Sequence, residues 1–448
     1  MERKYEEVIK YIEELASSNQ LRQGGRLPSI RSLAAQFKCN KSTIIRAYTE
    51  LEANHEIYSI PKSGYYLVEK NPSYDSEYAT IDFSAVMPDP KLLPYKEFNH
   101  CINKAVELYK KSLFCYSDRQ GLESLRKVLV KHFIENQIFT SKENIFVTAG
   151  SQQALSLLSK MSFPNDNKLI LVEQPTYNLM LKLVDLNKDK LIGINRTAKG
   201  IDFHELERIF STGNIKFFYT IPRFHNPLGL SYSEKEKKKI VKLAEKYDVY
   251  IVEDDYLVDI DPNKKAFPLS YYDISDKVIY VKSFSKAFMP GIRIGAAILP
   301  QKLHTEFLNH KICSDLSTSV LAQGALEIFI NSGMYKNHIK KAQVEYKKKM
   351  ICLKECLNNL NTKGIEFSIP ETGFFLWVKL PSHININILM KRLEEKNIYI
   401  IPAENFFIGN VPNENSFRIC ISKLSKEEIK LGICLLFKEI NKLKEQQK

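Results

Sequence analysis

Val278-Ile279-Tyr280-Val281-Lys282-Ser283-Phe284-Ser285-Lys286, running on to Pro290-Gly291-Ile292-Arg293-Ile294-Gly295, is the stretch on which the reading of this chain turns. Its first four residues are β-branched or aromatic and read as a buried strand. Past them stand Ser283, Ser285, Lys286 and, seven residues after Lys286, Arg293. A lysine just beyond a strand end can lose solvation, lower its pKa and become a nucleophile toward a carbonyl. Ser283, Ser285 and Arg293 offer short donors and a guanidinium fork suited to a phosphate dianion. A carbonyl-seeking amine beside a phosphate seat suggests an aldehyde that carries a phosphate, and pyridoxal phosphate is such a molecule. The plain alternative is a surface lysine after an ordinary strand.

Outward from that stretch, strands and helices alternate from Ile81 onward, which predicts a parallel sheet with crossover helices. Ile145-Phe146-Val147-Thr148 runs into Ala149-Gly150-Ser151-Gln152-Gln153, a small-residue turn opening a helix whose free N–H groups suit a phosphate. Further strands end in Pro175-Thr176-Tyr177, in Arg223-Phe224-His225-Asn226-Pro227 and in Glu253-Asp254-Asp255-Tyr256. Open α/β sheets place ligands past their carboxyl strand ends, so the repetition matters more than any one motif. Asp254 or Asp255 can keep a pyridinium nitrogen protonated, which makes the ring an electron sink. Without Lys286 both would read as solvated loop acids. Asn226 and Tyr256 could donate to a phenolate oxygen and Tyr177 could stack on a ring, although Asn226-Pro227 also reads as a turn and Tyr177 as simple packing.

Together these motifs resemble the fold-type I pyridoxal-phosphate enzymes, in the branch of the aminoadipate and kynurenine aminotransferases, from about Ile81 to Lys448. The resemblance implies that Lys286 is the Schiff-base lysine and Asp254 the partner of the ring nitrogen. It implies Tyr256 and Asn226 at the phenolate oxygen, Tyr177 on the ring, and Ser151, Gln152, Ser283, Ser285 and Arg293 at the phosphate. Tyr116, in Tyr116-Ser117-Asp118-Arg119-Gln120-Gly121, matches a tyrosine that reaches the neighbouring subunit's phosphate, so a homodimer is implied. Arg418, in Ser416-Phe417-Arg418-Ile419-Cys420, matches the arginine that grips a substrate α-carboxylate. The region from about 335 to 448 fits the small subdomain of this fold. Leu228-Gly229 stands where Thr-Gly is common.

The first seventy residues read differently. Helical spacing in Tyr5, Val8, Ile12 and Leu15 opens an amphipathic helix. Ser29 is a plausible N-cap for a second helix with Ile30, Leu33, Ala34 and Phe37 inward. A third places Ile44 or Ile45, Tyr48 and Leu51 inward, and Ile57–Ile60 and 65–68 read as two strands around Pro61-Lys62-Ser63-Gly64. Three helices and a hairpin is the order of a winged helix-turn-helix. From Gln20 to Thr49 there is no acid, while Arg22, Arg26, Arg31, Lys38, Lys41 and Arg46 all fall there. A solvated face normally mixes signs, so this segregation favours a surface that meets phosphates over a helical docking module. The run Gly25-Arg26-Leu27-Pro28-Ser29-Ile30-Arg31-Ser32-Leu33-Ala34, with Lys41-Ser42-Thr43-Ile44-Ile45-Arg46-Ala47-Tyr48, resembles the GntR family of bacterial regulators. Arg26, Arg31, Lys41, Ser42, Thr43, Arg46 and Lys62 are the candidate DNA contacts.

Composition bounds the rest. The 448 residues suit two or three domains, with 44% hydrophobic and 26% charged content ordinary for globular protein. The domains expected are 1–70, a polar linker at 71–80 and 81–448. No apolar run approaches the roughly 20 residues that span a bilayer, and the charged start lacks a signal-peptide core, so a cytoplasmic chain is expected. Eight scattered cysteines without a C-x-x-C pair predict reduced thiols and no metal site. The net charge of +13 is spread lysine for the most part, so local pattern carries the nucleic-acid argument.

A GntR-like winged helix ahead of an aminotransferase-like domain is the layout of MocR-type transcription regulators. Two functions compete. One is a DNA-binding regulator that senses pyridoxal phosphate, an amine or an amino acid by imine exchange at Lys286. The other is a working aminotransferase with an added DNA anchor. Imine chemistry needs the same lysine, aspartate and arginine in both, and the acid-free surface favours the regulator.

Overall fold

The computed structural model describes residues 4–17, 25–53, 56–60, 63–68, 80–188, 190–263, 265–409 and 415–446. The chain divides into two units, Met1–Ala79 and Thr80–Lys448. Arg22, Lys62 and all of the expected linker but Thr80 lie outside the described residues.

In the first unit, helices Lys4–Ser17, Ile30–Gln36 and Lys41–Ala53 are followed by β1 (Ile57–Ile60) and β2 (Gly64–Leu67). Ser29 caps the second helix, its Oγ accepting from the Ser32 N–H at 3.1 Å. Val8, Ile12, Leu33, Ile44, Tyr48, Leu51, Ile57 and Leu67 form the core. Ile44 is the inward residue of its pair, and Ile45 is exposed. The Tyr48 hydroxyl donates to the Pro28 carbonyl at 2.6 Å, pinning the third helix to the start of the second. The strands pair antiparallel from Ile57↔Leu67 to Ile60↔Gly64. This is the winged helix-turn-helix order.

In the second unit the strands are β3 (Ile81–Asp82), β4 (Ile145–Thr148), β5 (Leu169–Gln174), β6 (Leu191–Thr197), β7 (Gly200–Ile201), β8 (Ile215–Thr220), β9 (Tyr250–Asp254), β10 (Val278–Ser283), β11 (Gly295–Ile298), β12 (Glu366–Ser368), β13 (Phe375–Lys379), β14 (Ile398–Tyr399), β15 (Ile401–Pro402) and β16 (Ser416–Cys420). The large sheet runs β4-β11-β10-β9-β8-β5-β6-β7. Its centre, β10-β9-β8-β5-β6, is parallel, as the alternation predicts. Two strands depart from the all-parallel expectation. β11 runs antiparallel to both β10 and β4, and β7 folds back on β6. The return from β10 to β11 holds a single 3-10 turn, Pro290–Ile292, and a connection that short cannot carry the crossover a parallel neighbour needs.

A smaller antiparallel sheet, β12-β13-β16-β15, and the pair β14-β3 enclose a second core. The helix Met334–Asn358 serves both cores, with Tyr335, Ile339 and Tyr346 in the large one and Met350, Leu353 and Leu357 in the small one. The expected small subdomain at 335–448 therefore begins in a continuous helix. It also takes in Ile81 and Phe83 from the start of the unit. All eight cysteines are free thiols. Among the described residues no helix is long and apolar enough to cross a membrane, and no cluster of side chains suits a metal ion.

Candidate functional site

The parallel strands β5, β8, β9 and β10 end at one edge of the sheet, and a cavity of about 240 Å³ lies there. Its lining brings together Ser151, Tyr177, Asn226, Asp254, Tyr256, Ser283, Lys286 and Arg418. These come from six separate stretches of the sequence. Ser84, Val86, Asn178, Leu179, Ile221 and Ile401 complete the wall and were not anticipated.

Asp254 closes β9 and is fully enclosed. Its Oδ2 accepts from the Tyr219 hydroxyl at 2.9 Å, and its Oδ1 has no partner. Burial, with the Asp255 charge beside it, raises this carboxyl to about 7, although the Tyr219 bond opposes the rise. Asp255 faces the other way. It is bound by the Arg223 guanidinium and accepts from the Tyr280 hydroxyl at 2.9 Å. Of the two acids, Asp254 is the one that lines the cavity.

Lys286 reaches the cavity from just beyond β10, and its Nζ donates to the Val86 carbonyl at 2.7 Å. Burial lowers its pKa, helped by the Arg418 and Arg293 charges and opposed by Cys420 and Asp254. A lowered pKa brings the amine nearer the neutral form that attacks a carbonyl.

At one corner the helix Ser151–Lys160 begins immediately after Gly150, which has φ 78°. A side chain at Gly150 would stand 2.7 Å from the Arg293 Nη2, and one at Gly295 would stand 2.6 Å from the Gly150 carbonyl carbon. Both glycines therefore let β11 and Arg293 close onto the helix start. Arg293 itself sits in the left-handed region at φ 52°. Its guanidinium reaches Ser285 Oγ at 3.3 Å, the Ala149 carbonyl at 3.3 Å and the Pro290 carbonyl at 3.4 Å. These are long contacts to neutral oxygens, and with the dipole end of a ten-residue helix they could hold an anion. Ser285 N–H donates to Ser283 Oγ at 3.1 Å, and Gln152 Nε2 donates to the Tyr177 hydroxyl at 3.0 Å.

Arg418, on β16, is 3% exposed. Its Nη1 donates to Asn226 Oδ1 at 2.8 Å and its Nη2 to the Ser84 carbonyl, while Nε has no partner. Phe375 and Phe406 flank the guanidinium at 4.9 and 5.1 Å. Here too the acceptors are neutral. Tyr256 does not point its hydroxyl freely into the cavity, because it donates to the Phe224 carbonyl at 2.7 Å. Tyr116 lies apart from the cavity and is 82% exposed.

A buried layer missed by motif reading holds the turn that carries Asn226. Glu173 accepts from Arg196, Thr220 Oγ1, the Ile221 N–H and Tyr232, and lies 3.0 Å from His225 Nε2. Burial alone would raise this carboxyl, but Arg196 and His225 outweigh it and bring it down to about 2. Its one sequence signal was a glutamate closing an apolar strand, a position that burial makes costly unless paired.

In the first unit, Arg26, Arg31, Lys41, Ser42 and Arg46 are exposed and Thr43 is half-buried. Arg26 lies against the hairpin opposite Tyr66, and the Arg46 guanidinium sits 4.3 Å above the Tyr5 ring. Lys41, Ser42, Ile45, Arg46 and Thr49 share the solvent face of the third helix, opposite Ile44, Ala47, Tyr48 and Leu51.

Comparison with known proteins bears on both units. Residues 92–433 match the family "Aminotransferase class I and II", and residues 4–67 match "Bacterial regulatory proteins, gntR family". The chain is 44% identical over 442 residues to the uncharacterized HTH-type transcriptional regulator YcxD of Bacillus subtilis (strain 168), covering 98% of this chain and 100% of that one. Among solved structures it resembles a multiple substrate aminotransferase from Thermococcus profundus, with TM-score 0.76, 28% identity and coverage of 82% of this chain and 92% of that one. It also resembles the Pyrococcus horikoshii kynurenine aminotransferase in complex with PMP, with TM-score 0.75 and 28% identity over 82% and 92% of the two chains. The second unit has the fold-type I aminotransferase fold.

Proposed function

From a chain that belongs to the aminotransferase class I and II family and carries a gntR-family domain ahead of it, the pairing of MocR-type regulators, we propose a transcription regulator whose second unit holds pyridoxal phosphate at Lys286. By imine exchange there it senses the cofactor, an amine or an amino acid. The observation that carries this reading is a pair of unmatched buried atoms. Asp254 Oδ1 lacks a donor and Arg418 Nε lacks an acceptor, and both residues line the cavity with Lys286. Buried polar atoms are rarely left so, and the cost is about 1–3 kcal/mol each. A cationic ring N–H would match the first atom and a carboxylate the second.

When bound, the cofactor supplies an aldehyde for which Lys286 and a free amine compete, and a ring that draws electrons while its nitrogen is protonated. The residues of this chain do the rest. Asp254 would hold the ring proton, and Tyr177 would lie against the ring. Asn226 would offer its amide N–H groups to the phenolate oxygen, its Oδ1 being engaged by Arg418. Tyr256 would join it there once its hydroxyl turns from Phe224. Ser151, Gln152, Ser283, Ser285 and Arg293 would hold the phosphate, and Arg418 the α-carboxylate of an amino acid. The exposed Tyr116, with Leu108 and Phe114 exposed nearby in sequence, fits a homodimer in which Tyr116 reaches the partner's phosphate.

Arg26, Arg31, Lys41, Ser42, Thr43 and Arg46 would meet double-stranded operator DNA, as would Lys62. Borohydride trapping tests the cofactor half. Cofactor should be trapped on Lys286 in the parent and lost from Lys286→Ala. Equal trapping in the variant would put the nucleophile elsewhere. Multiple turnovers with an amino acid and a 2-oxo acid, together with operator binding indifferent to ligand, would favour the anchored enzyme.

A further inference from the structure

We infer that the amino compound read at Lys286 is an α-amino acid with a neutral, apolar side chain, an inference that rests on the cofactor reading above. Three charged residues line the cavity, Asp254, Lys286 and Arg418. That reading commits each of them, to the ring nitrogen, the aldehyde carbon and the α-carboxylate. A further charge on the ligand finds no counter-ion among the described lining residues, since the polar ones that remain are neutral.

The wall beside the carboxylate grip is apolar. Ile401 on β15 is the direct cross-strand partner of Arg418 on β16. Directly opposed residues of an antiparallel pair project from the same face, so Ile401 flanks the space where a bound amino acid continues beyond its carboxylate. Leu179, in the first turn of the helix Asn178–Leu186, lines the same cavity while 44% exposed. Val86 adds a third apolar residue. A hydrocarbon side chain laid along these residues removes apolar surface from water on both partners. A carboxylate or ammonium in the same place would lose hydration without gaining a partner, which costs more than the contact returns.

The test uses the full chain loaded with pyridoxal phosphate. L-Leucine, L-methionine and L-phenylalanine are titrated against L-glutamate, L-aspartate and L-lysine, with the visible absorption band of the bound cofactor as the readout. Half-saturation by the neutral apolar set should come at concentrations about tenfold lower or more. Ile401→Arg should shift preference toward glutamate while the cofactor stays trappable by borohydride. Glutamate, aspartate or lysine matching leucine in the parent overturns the inference. So does a trappable cofactor whose band answers to no amino acid. Failure of the underlying cofactor reading looks different, as absence of any trappable cofactor on Lys286 before amino acid is added, and it takes this inference with it.

Discussion

Asp255 is bound by the Arg223 guanidinium and the Tyr280 hydroxyl, whereas its neighbour Asp254 accepts only from Tyr219 and leaves Oδ1 unmatched. Consecutive residues at a strand end project to opposite sides, so one acid is turned into the protein and the other toward the cavity. The two carboxylates therefore answer differently to the same substitution.

Asp255→Asn should destabilise the second unit by about 3–5 kcal/mol, because it leaves the buried Arg223 charge without the carboxylate it is bonded to. Asp254→Asn removes a buried carboxylate that has no cation bonded to it and should not lower stability near neutral pH. Chemical denaturation of the cofactor-free proteins compares them. A larger loss in Asp254→Asn would reverse the assignment of structural and functional acid.

The raised Asp254 carboxyl, about 7 against an ordinary 3.8, gives a signed pH dependence. The folded chain keeps a proton that the unfolded chain has released between those values. Stability from this group is therefore highest below the ordinary value, falls as pH rises toward about 7, and is level beyond it. Asp254→Asn removes that slope. In melting experiments without cofactor, variant and parent should differ least near about pH 4, and the variant should gain up to ~4 kcal/mol near pH 8. A gain that is the same at both pH values would mean that the carboxyl titrates normally.

Much of this site was legible because parallel strands deliver their following residues to one edge. Lys286, Asn226, Tyr177 and the acids after β9 could be collected without knowing the strand order. Residue pattern alone leaves Asp254 and Asp255 equivalent, and only the family resemblance points to Asp254, since β9 is buried along its length and apolar neighbours mark neither face as the ligand's. Ser84 and Val86 were invisible for another reason. They hold Arg418 and Lys286 through backbone carbonyls, which every residue has, across separations of 334 and 200 residues. Ile44 and Ile45 are the same residue type, and only packing against Val8 and Tyr48 separates them. The antiparallel β11 departs from the parallel sheet that alternation predicts, because alternation signals strands but not their direction.

On the DNA side, Arg46→Ala or Arg31→Ala should weaken operator binding by about 1–3 kcal/mol if the side chain reads a base edge. If it meets phosphate alone, the salt slope should fall by about one contact with little change in sequence preference. Titration of operator and scrambled duplexes at several salt concentrations separates the two. Unchanged binding throughout would place that arginine away from the DNA.

The central claim is that chemistry at Lys286 is read out at DNA, and operator titration with and without pyridoxal phosphate and an amino acid tests it most directly. On the proposed reading, Lys286 bound to the cofactor and Lys286 released by an amine would be two states of one site, and a regulator must bind DNA differently in each. Coupling of this kind is typically about 1–3 kcal/mol, or roughly 5–150-fold in affinity. The parent should shift its operator affinity or footprint by an amount in that range, and Lys286→Ala should blunt the shift while binding the same DNA. Identical affinity and footprint in the parent under every condition, alongside steady transamination, would contradict the account.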